Sequence, residues 1–370
     1  NVFQHFYPYF DVVEVDWENQ LAPFLAAAAR DPDEAAFLKT LRRMVALLED
    51  GHGSVTHSSD AANGLLPLCW AMAEGKLVVT RVEGKEGALK VGDVIERIDG
   101  KAIETAIDAR AETISAATDE YRHYRTLEAL RMGVPGDSLN VTVAGREHHL
   151  RFERRAAPLT EQRPSRIEEV EKGVWYVDLD RIDDDDFKKV IDQLAAASGV
   201  VFDLRGYPRS LSTIVLSHLI EESITCPQWH IPVVRYPDRK KMTFQFSQWP
   251  VAPRAPRIQG KVAFIIDGRA ISYAETYLGM VEHHRLGALV GERTAGTNGN
   301  INTFSLPGGY RVVFTGMKVL KHDGSRHHGI GIEPTVAVKR TVGGIAEGVD
   351  ELLAGAMAEV GAGSRDEGEE

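Results

Sequence analysis

Val262-Ala-Phe-Ile-Ile-Asp-Gly-Arg-Ala-Ile-Ser-Tyr-Ala-Glu275 changes character partway along. Val262 to Ile266 is an unbroken apolar run and predicts a buried strand. Asp267-Gly268-Arg269 is a turn. From Ser272 onward, Ala274, Tyr277, Leu278 and Val281 recur at helical spacing and predict a helix. A serine at such a strand–turn–helix junction presents its hydroxyl at the mouth of a sheet, beside the free N–H groups of a helix start. A serine nucleophile with an oxyanion hole needs that geometry. Ser272-x-x-Glu275 is equally a capping-box pattern, in which the two side chains satisfy only the helix start. The segment alone leaves both readings open.

Its surroundings continue the alternation. Val174 to Leu179 reads as a strand, Asp184 to Ala197 as a helix with a capping aspartate, and Val200 to Leu204 as a buried strand. Leu211 to Ser223 reads as a helix and Ala288 to Gly291 as a further strand. This order predicts an α/β domain with helices on both faces of a sheet. Ligands in such sheets sit beyond the carboxyl ends of the strands. Asp203-Leu-Arg-Gly206 and Ser272 both follow strand ends, so one crevice can hold both. The acidic run Asp183 to Asp186 suits a helix start and lacks the glycine turn of a calcium loop.

Toward the N-terminus the texture differs. Phe37, Leu38, Leu41, Met44, Val45, Leu47 and Leu48 form an apolar stripe at helical spacing, capped by Asp31 or Asp33. That helix ends at Glu49-Asp50-Gly51-His52-Gly53. From Asn63 to about Arg155 the pattern is β-rich, with strands at Leu77–Val82 and around Gly92. A helical insert over Ala106 to Met132 and a hairpin around Ala144-Gly145 follow. Residues 157–170, with Pro158 and Pro164, read as a linker. Trp229, Trp249, Phe244 and Phe246 suggest a packed satellite hairpin.

Composition narrows the function. The chain of 370 residues is 43% apolar and 26% charged, with a net charge of −11, which opposes nucleic-acid binding as a main task. No apolar run reaches the roughly 18–20 residues that cross a bilayer. Cys69 and Cys226 have no metal-ligand spacing and read as free buried thiols. His327-His328 on a strand point to opposite faces, so no metal site is expected. No signal peptide is visible.

Four segments, taken in order, resemble the carboxyl-terminal-processing (tail-specific) and tricorn-type serine peptidases. Leu47-Leu-Glu-Asp-Gly-His-Gly-Ser54 is similar to the family's helix-end histidine motif, and Leu89 to Gly100 to the core of a PDZ domain. Asp203-Leu-Arg-Gly206 matches the start of a motif that usually continues Asn-Pro-Gly-Gly; here Tyr207-Pro-Arg-Ser210 follows. Ser272-x-x-Glu275 is trailed by Gly291-Glu-Arg-Thr-Ala-Gly296 and Gly329-Ile-Gly-Ile-Glu-Pro334. The resemblance implies an α/β fold with a β-rich module. It divides into an N-terminal helical segment over 1–60 carrying His52 and a PDZ-like domain with a helical insert over 61–156. A ClpP/crotonase-like α/β peptidase core over 157–358 and a disordered acidic tail over 359–370 complete it.

The resemblance also assigns roles. The processing branch uses a lysine base where this chain has Thr297, which cannot serve near neutral pH. The tricorn-type branch uses the N-terminal histidine, so His52 is the expected general base and Ser272 the nucleophile. Oxyanion donors fall on the N–H groups of Gly206 and Tyr273. The tricorn relay to the histidine is altered here: Gly51 replaces a serine and His328 a glutamate. Glu275, His328 and Glu333 are the candidates for orienting His52. Gly64, Leu65 and Leu66 fall in the loop where a PDZ module would hold a peptide carboxylate. The implied function is a serine endopeptidase acting on polypeptides through an acyl-enzyme, without cofactor, outside the cytoplasm. The alternative is a non-catalytic peptide- or lipophile-binding protein on the same fold. No stable membrane insertion is expected, and oligomeric state is open.

Overall fold

The computed structural model describes residues 1–58, 64–83, 89–155, 157–236 and 241–361. The acidic tail from 362 onward lies outside them.

Lys261–Ile266 runs through the middle of a six-stranded sheet ordered Ile167–Glu171, Val174–Asp178, Gly199–Asp203, Lys261–Ile266, Ala288–Gly291, Val336–Ala337. The first pair is antiparallel and all later pairs are parallel. Strands buried on both faces need apolar residues in succession, which explains the unbroken runs. Alternate residues serve opposite layers. Phe202 and Phe264 pack beneath the helices Asp184–Ala196 and Tyr273–His284, against Phe187, Leu194, Tyr277 and Leu278. Val201, Ala263 and Ile265 face the helix Glu351–Glu359 through Leu352, Ala356 and Val360.

Asp183 starts the Asp184–Ala196 helix, its carboxylate accepting the N–H of Asp185 at 3.0 Å and of Asp186 at 2.8 Å. The acidic run is thus a helix start. The helix expected over Leu211–Ser223 shrinks to Ile214–Ser217. The carbonyls of Ser217 and His218, which a longer helix would use, accept instead from Arg254 and Ile258. The insert expected over Ala106–Met132 is two helices, Ile103–Ala111 and Asp119–Leu130. Thr118 breaks it, in extended conformation, by capping the second helix.

A second antiparallel sheet, ordered Leu68–Ala73, Lys76–Val82, Val94–Ile98, Ser138–Val143, Arg146–Arg151, encloses its own core of Leu77, Val79, Ile95, Val141 and Phe152 with the insert helices. The helix Glu34–Ala46 packs on a three-stranded sheet of Ser54–Thr56, Tyr310–Thr315 and Ile301–Leu306, with Phe3, Tyr7 and Tyr9 filling the space. Asp33 caps that helix by accepting the Ala36 N–H at 2.9 Å. Among the described residues, no helix is long and apolar enough to cross a membrane.

Candidate active site

His52 lies between the Glu34–Ala46 helix and the strand Ser54–Thr56, which pairs antiparallel with Tyr310–Thr315 in the register Ser54↔Val313. Continuing that register by two residues places His52 opposite Thr315. Its Nδ1 lies 2.8 Å from the Thr315 hydroxyl, and that hydroxyl donates to Asp50 Oδ1 at 2.6 Å. The bond to Asp50 uses the hydroxyl proton, so the oxygen faces His52 as an acceptor. Nδ1 therefore carries the imidazole proton and Nε2 keeps its lone pair. Asp50 is fully buried. Its carboxylate also accepts the N–H groups of His52 at 3.0 Å and Thr315 at 2.6 Å. Burial lowers the His52 pKa, while Asp50 and Glu275 act to raise it; the net shift is downward.

Ser272 ends the turn after Lys261–Ile266. Its backbone adopts φ 61°, ψ −116° and its side chain makes no capping bond to the Tyr273–His284 helix. Positive φ is strained for a residue with a β-carbon, and strain of this kind persists only where the surrounding structure holds it. Glu275 does not serve that helix start either. Fully buried, it accepts the N–H of Gly296 at 2.7 Å and of Thr297 at 2.8 Å, and the Thr294 hydroxyl. His327 Nε2 lies 3.3 Å from the same carboxylate.

The loop that Glu275 holds joins the two halves. The Ser272 N–H donates to the Thr297 carbonyl at 2.8 Å, and the Gly51 N–H to the Thr297 hydroxyl at 2.9 Å. Gly51 needs to be glycine: a β-carbon there would stand 2.8 Å from Thr297 Oγ1 and 3.0 Å from Ile271 Cδ1. Residues 51 and 272, far apart in sequence, thus meet on one threonine. Ser115, from the break in the insert, accepts the Asp50 N–H at 2.9 Å, and the Thr118 hydroxyl donates to the Thr294 carbonyl at 3.1 Å.

Gly206 follows Gly199–Asp203, the strand neighbouring Lys261–Ile266, with Asp203 paired to Ile265. A β-carbon at Gly206 would lie 2.6 Å from the Asp180 carboxylate, so the close approach requires glycine. The rings of Tyr207 and Tyr273 are 6.3 Å apart, which brings the loops after the two strands together. The Tyr273 N–H, in the first helical turn, has no intrahelical acceptor. Behind Gly206, Asp203 is fully buried; burial acts to raise its pKa, but Arg205 and Arg163 hold the carboxyl far below its usual range.

The remaining predicted residues lie elsewhere. His328 is buried, stacks on Tyr9 at 4.0 Å between ring centroids, and lies 3.4 Å from the Tyr7 hydroxyl. Tyr7 in turn donates to the Leu48 carbonyl at 2.7 Å, which props the His52 loop from behind. Burial pushes the His328 pKa down to about 4. Glu333 is exposed. Gly64 and Leu65 form the middle strand of a small sheet, between Glu153–Arg154 and Met132–Gly133, and the Leu66 N–H donates to the Arg131 carbonyl. Their backbone is engaged within the chain, and Leu66 is fully buried. Cys69 and Cys226 are both free and buried; burial raises the Cys69 thiol to about 11.

The group meeting His52 Nδ1 is Thr315 backed by Asp50, neither of which is among the candidates that the sequence offers for orienting His52. Asp50 had a signal, an aspartate two residues before the histidine in one turn. Thr315 had none, because only strand register brings it there.

Residues 173–338 match the model for peptidase family S41. The structure is similar to that of mature CPAF complexed with lactacystin, with a TM-score of 0.76 at 12% identity over 94% of this chain and 93% of that one. A peptidase structure from Parabacteroides merdae ATCC 43184 gives a TM-score of 0.58 at 17% identity, covering 98% of this chain and 94% of that one. No curated protein matches the chain.

Proposed function

We propose that this chain, a serine-type peptidase of family S41 over residues 173–338, hydrolyses polypeptides through an acyl-enzyme on Ser272 with His52 as general base. The observation that carries the reading is the buried Asp50–Thr315–His52 relay. A histidine that merely closed a helix would have no need of a fixed Nδ1 proton and an enclosed carboxylate behind it.

In this mechanism His52 Nε2 takes the Ser272 proton as Oγ attacks the substrate carbonyl. The imidazolium that forms is stabilised through Thr315 by the Asp50 charge. Negative charge on the carbonyl oxygen is received by the N–H groups of Gly206 and Tyr273. Collapse returns the proton from His52 to the leaving amine, and a water activated by the same nitrogen releases the acid. The lowered His52 pKa keeps the imidazole neutral, and therefore basic, at neutral pH.

The domain reading goes with it: an N-terminal segment over 1–60 delivering His52, a PDZ-like module over 61–156 and the peptidase core over 157–358. Because Gly64–Leu66 are engaged within the chain, the module acts in this reading on access to the cleft rather than by holding a peptide end at that loop. Hydrolysis of an unfolded protein such as reduced casein tests the assignment. The wild type is expected to cleave it in the presence of EDTA, and Ser272→Ala and His52→Ala to lose roughly a thousandfold or more in rate while keeping their fold. Cleavage persisting in Ser272→Ala would remove the nucleophile assignment.

A further inference from the structure

Arg163 belongs to the segment between the antiparallel unit and the core, outside every motif that the sequence reading used. Its side chain is 12% exposed, with Nη1 3.2 Å from Asp178 Oδ2 and 3.6 Å from Asp203 Oδ1. Its Nη2 donates to the Arg205 backbone carbonyl at 2.8 Å. That carbonyl and the Gly206 N–H are the two ends of one planar peptide unit, in which C=O and N–H point in opposite directions. Fixing the oxygen therefore fixes the direction of the N–H.

The rest of that unit is fixed as well. The Leu204 N–H donates to the Ile265 carbonyl at 2.9 Å, and the Arg205 N–H to Asp203 Oδ1 at 3.0 Å. The Arg205 guanidinium binds Asp203 and also Asp350, at 2.8 and 2.7 Å. Gly206 lies against Asp180. With the chain bonded through Leu204 and Arg205 before this peptide and through the Tyr207 N–H on Asp180 after it, the remaining freedom is rotation of the Arg205–Gly206 peptide about its own axis. The Arg163 bond opposes that rotation. A cationic donor on the carbonyl also polarises the peptide and strengthens its N–H as a donor.

We infer that Arg163 is a positioning residue for hydrolysis, aiming the Gly206 N–H at the oxyanion by holding the opposite end of the same peptide. The inference rests on the oxyanion role proposed for Gly206. The segment bearing Arg163 is itself anchored at both ends, the Pro164 carbonyl just after it accepting from Arg181 at 2.6 Å. The Leu159 and Thr160 carbonyls accept from Arg131 at 2.9 Å and Arg81 at 2.8 Å, and Glu161 pairs with Arg269 at 2.9 Å and with Arg340. The guanidinium thus reaches the carbonyl from a fixed base.

The test compares Arg163→Met and Arg163→Lys with the wild type on a fluorogenic peptide that the wild type cleaves, and on the aldehyde of the same peptide as an inhibitor. An aldehyde forms a tetrahedral adduct and uses the oxyanion donors, whereas KM reports largely ground-state binding. Arg163→Met is expected to lower kcat roughly 10- to 100-fold and weaken the aldehyde similarly, with KM within about twofold, since full removal of such a donor costs roughly 100- to 1000-fold. Arg163→Lys keeps the charge facing Asp178 and Asp203, but a single ammonium lacks the fork that serves carboxylate and carbonyl together. It is expected to lose about tenfold in kcat at unchanged melting temperature, and it decides the matter if the methionine variant does not fold. Lysine and methionine variants with wild-type kcat and aldehyde affinity would overturn the role of Arg163. Aldehyde inhibition that survives Ser272→Ala would instead overturn the Ser272 reading beneath it.

Discussion

Replacing Asp50 by asparagine removes one negative charge and converts one acceptor into a donor at a fully buried point of the site. The carboxylate accepts three bonds: the His52 N–H at 3.0 Å, the Thr315 N–H at 2.6 Å and the Thr315 hydroxyl at 2.6 Å. The two backbone N–H groups fall on different oxygens, and an amide has only one. Whichever way it turns, one buried N–H loses its acceptor, at a cost of about 1–3 kcal/mol of stability. The catalytic cost is separate. The relay bonds of 2.6 and 2.8 Å in series put Asp50 Oδ1 within about 5.4 Å of His52 Nδ1, where a charge pair is worth about 3 kcal/mol at an effective dielectric near 20. Loss of that term from the imidazolium-bearing transition state lowers the acylation rate about a hundredfold. If the amide NH₂ faces the Thr315 oxygen, the hydroxyl turns its proton toward His52. The proton on Nδ1 is displaced to Nε2, and the loss grows toward roughly ten-thousandfold, as for a triad histidine in the wrong tautomer. The assay is the second-order rate of fluorophosphonate labelling against pH, with melting temperature alongside. Because Asp50 acts to raise the His52 pKa, its neutralisation also moves the acid limb of the profile to lower pH. A folded Asp50→Asn protein that labels within threefold of wild type would refute the relay.

Three further outcomes follow from the same geometry. Since burial sets His52 below its ordinary 6.5, the acid limb of wild-type activity should fall below that pH, and a midpoint above it would contradict the burial argument. Ser272→Gly and Ser272→Ala both lose the hydroxyl, but only glycine relieves the positive φ of 61°. The glycine variant should be the more stable by about 1 kcal/mol in denaturant titration, and equal stabilities would show that the turn carries no strain. His328 stays neutral in the fold down to a pKa of about 4, whereas the unfolded chain takes up a proton near 6.5. Stability is therefore lost as pH falls between those values, by about 3 kcal/mol in all, and His328→Phe, which can keep the stack on Tyr9, should flatten the slope; an unchanged slope would place the acid sensitivity elsewhere.

The parts of the molecule legible in sequence are those whose patterns are local. Val262–Ile266 reads as a strand because both of its faces are buried, and the helix after Ser272 reads through its 3.6-residue repeat. Asp33 and Asp183 announce helix starts because each caps its own first turn. What failed to show was set by distant partners. The Leu211–Ser223 stretch has helical composition, yet its carbonyls are claimed by residues 254–258, some forty positions on. The insert breaks at Thr118 where its hydroxyl reaches Thr294. Thr315 meets His52 through strand register alone, and Arg163 meets a carbonyl that carries no side-chain signature. Thr297 was conspicuous only as the place where a lysine base is missing; in the fold its hydroxyl and carbonyl tie Gly51 to Ser272.

The measurement that bears most directly on the account is the site of covalent labelling. After treatment with a fluorophosphonate at neutral pH and digestion with trypsin, the adduct mass should appear on the peptide spanning residues 270–285, whose one serine is Ser272. It should be absent from His52→Ala treated in the same way. An adduct on another peptide, or one formed as fast without the imidazole, would contradict the pairing of Ser272 with His52.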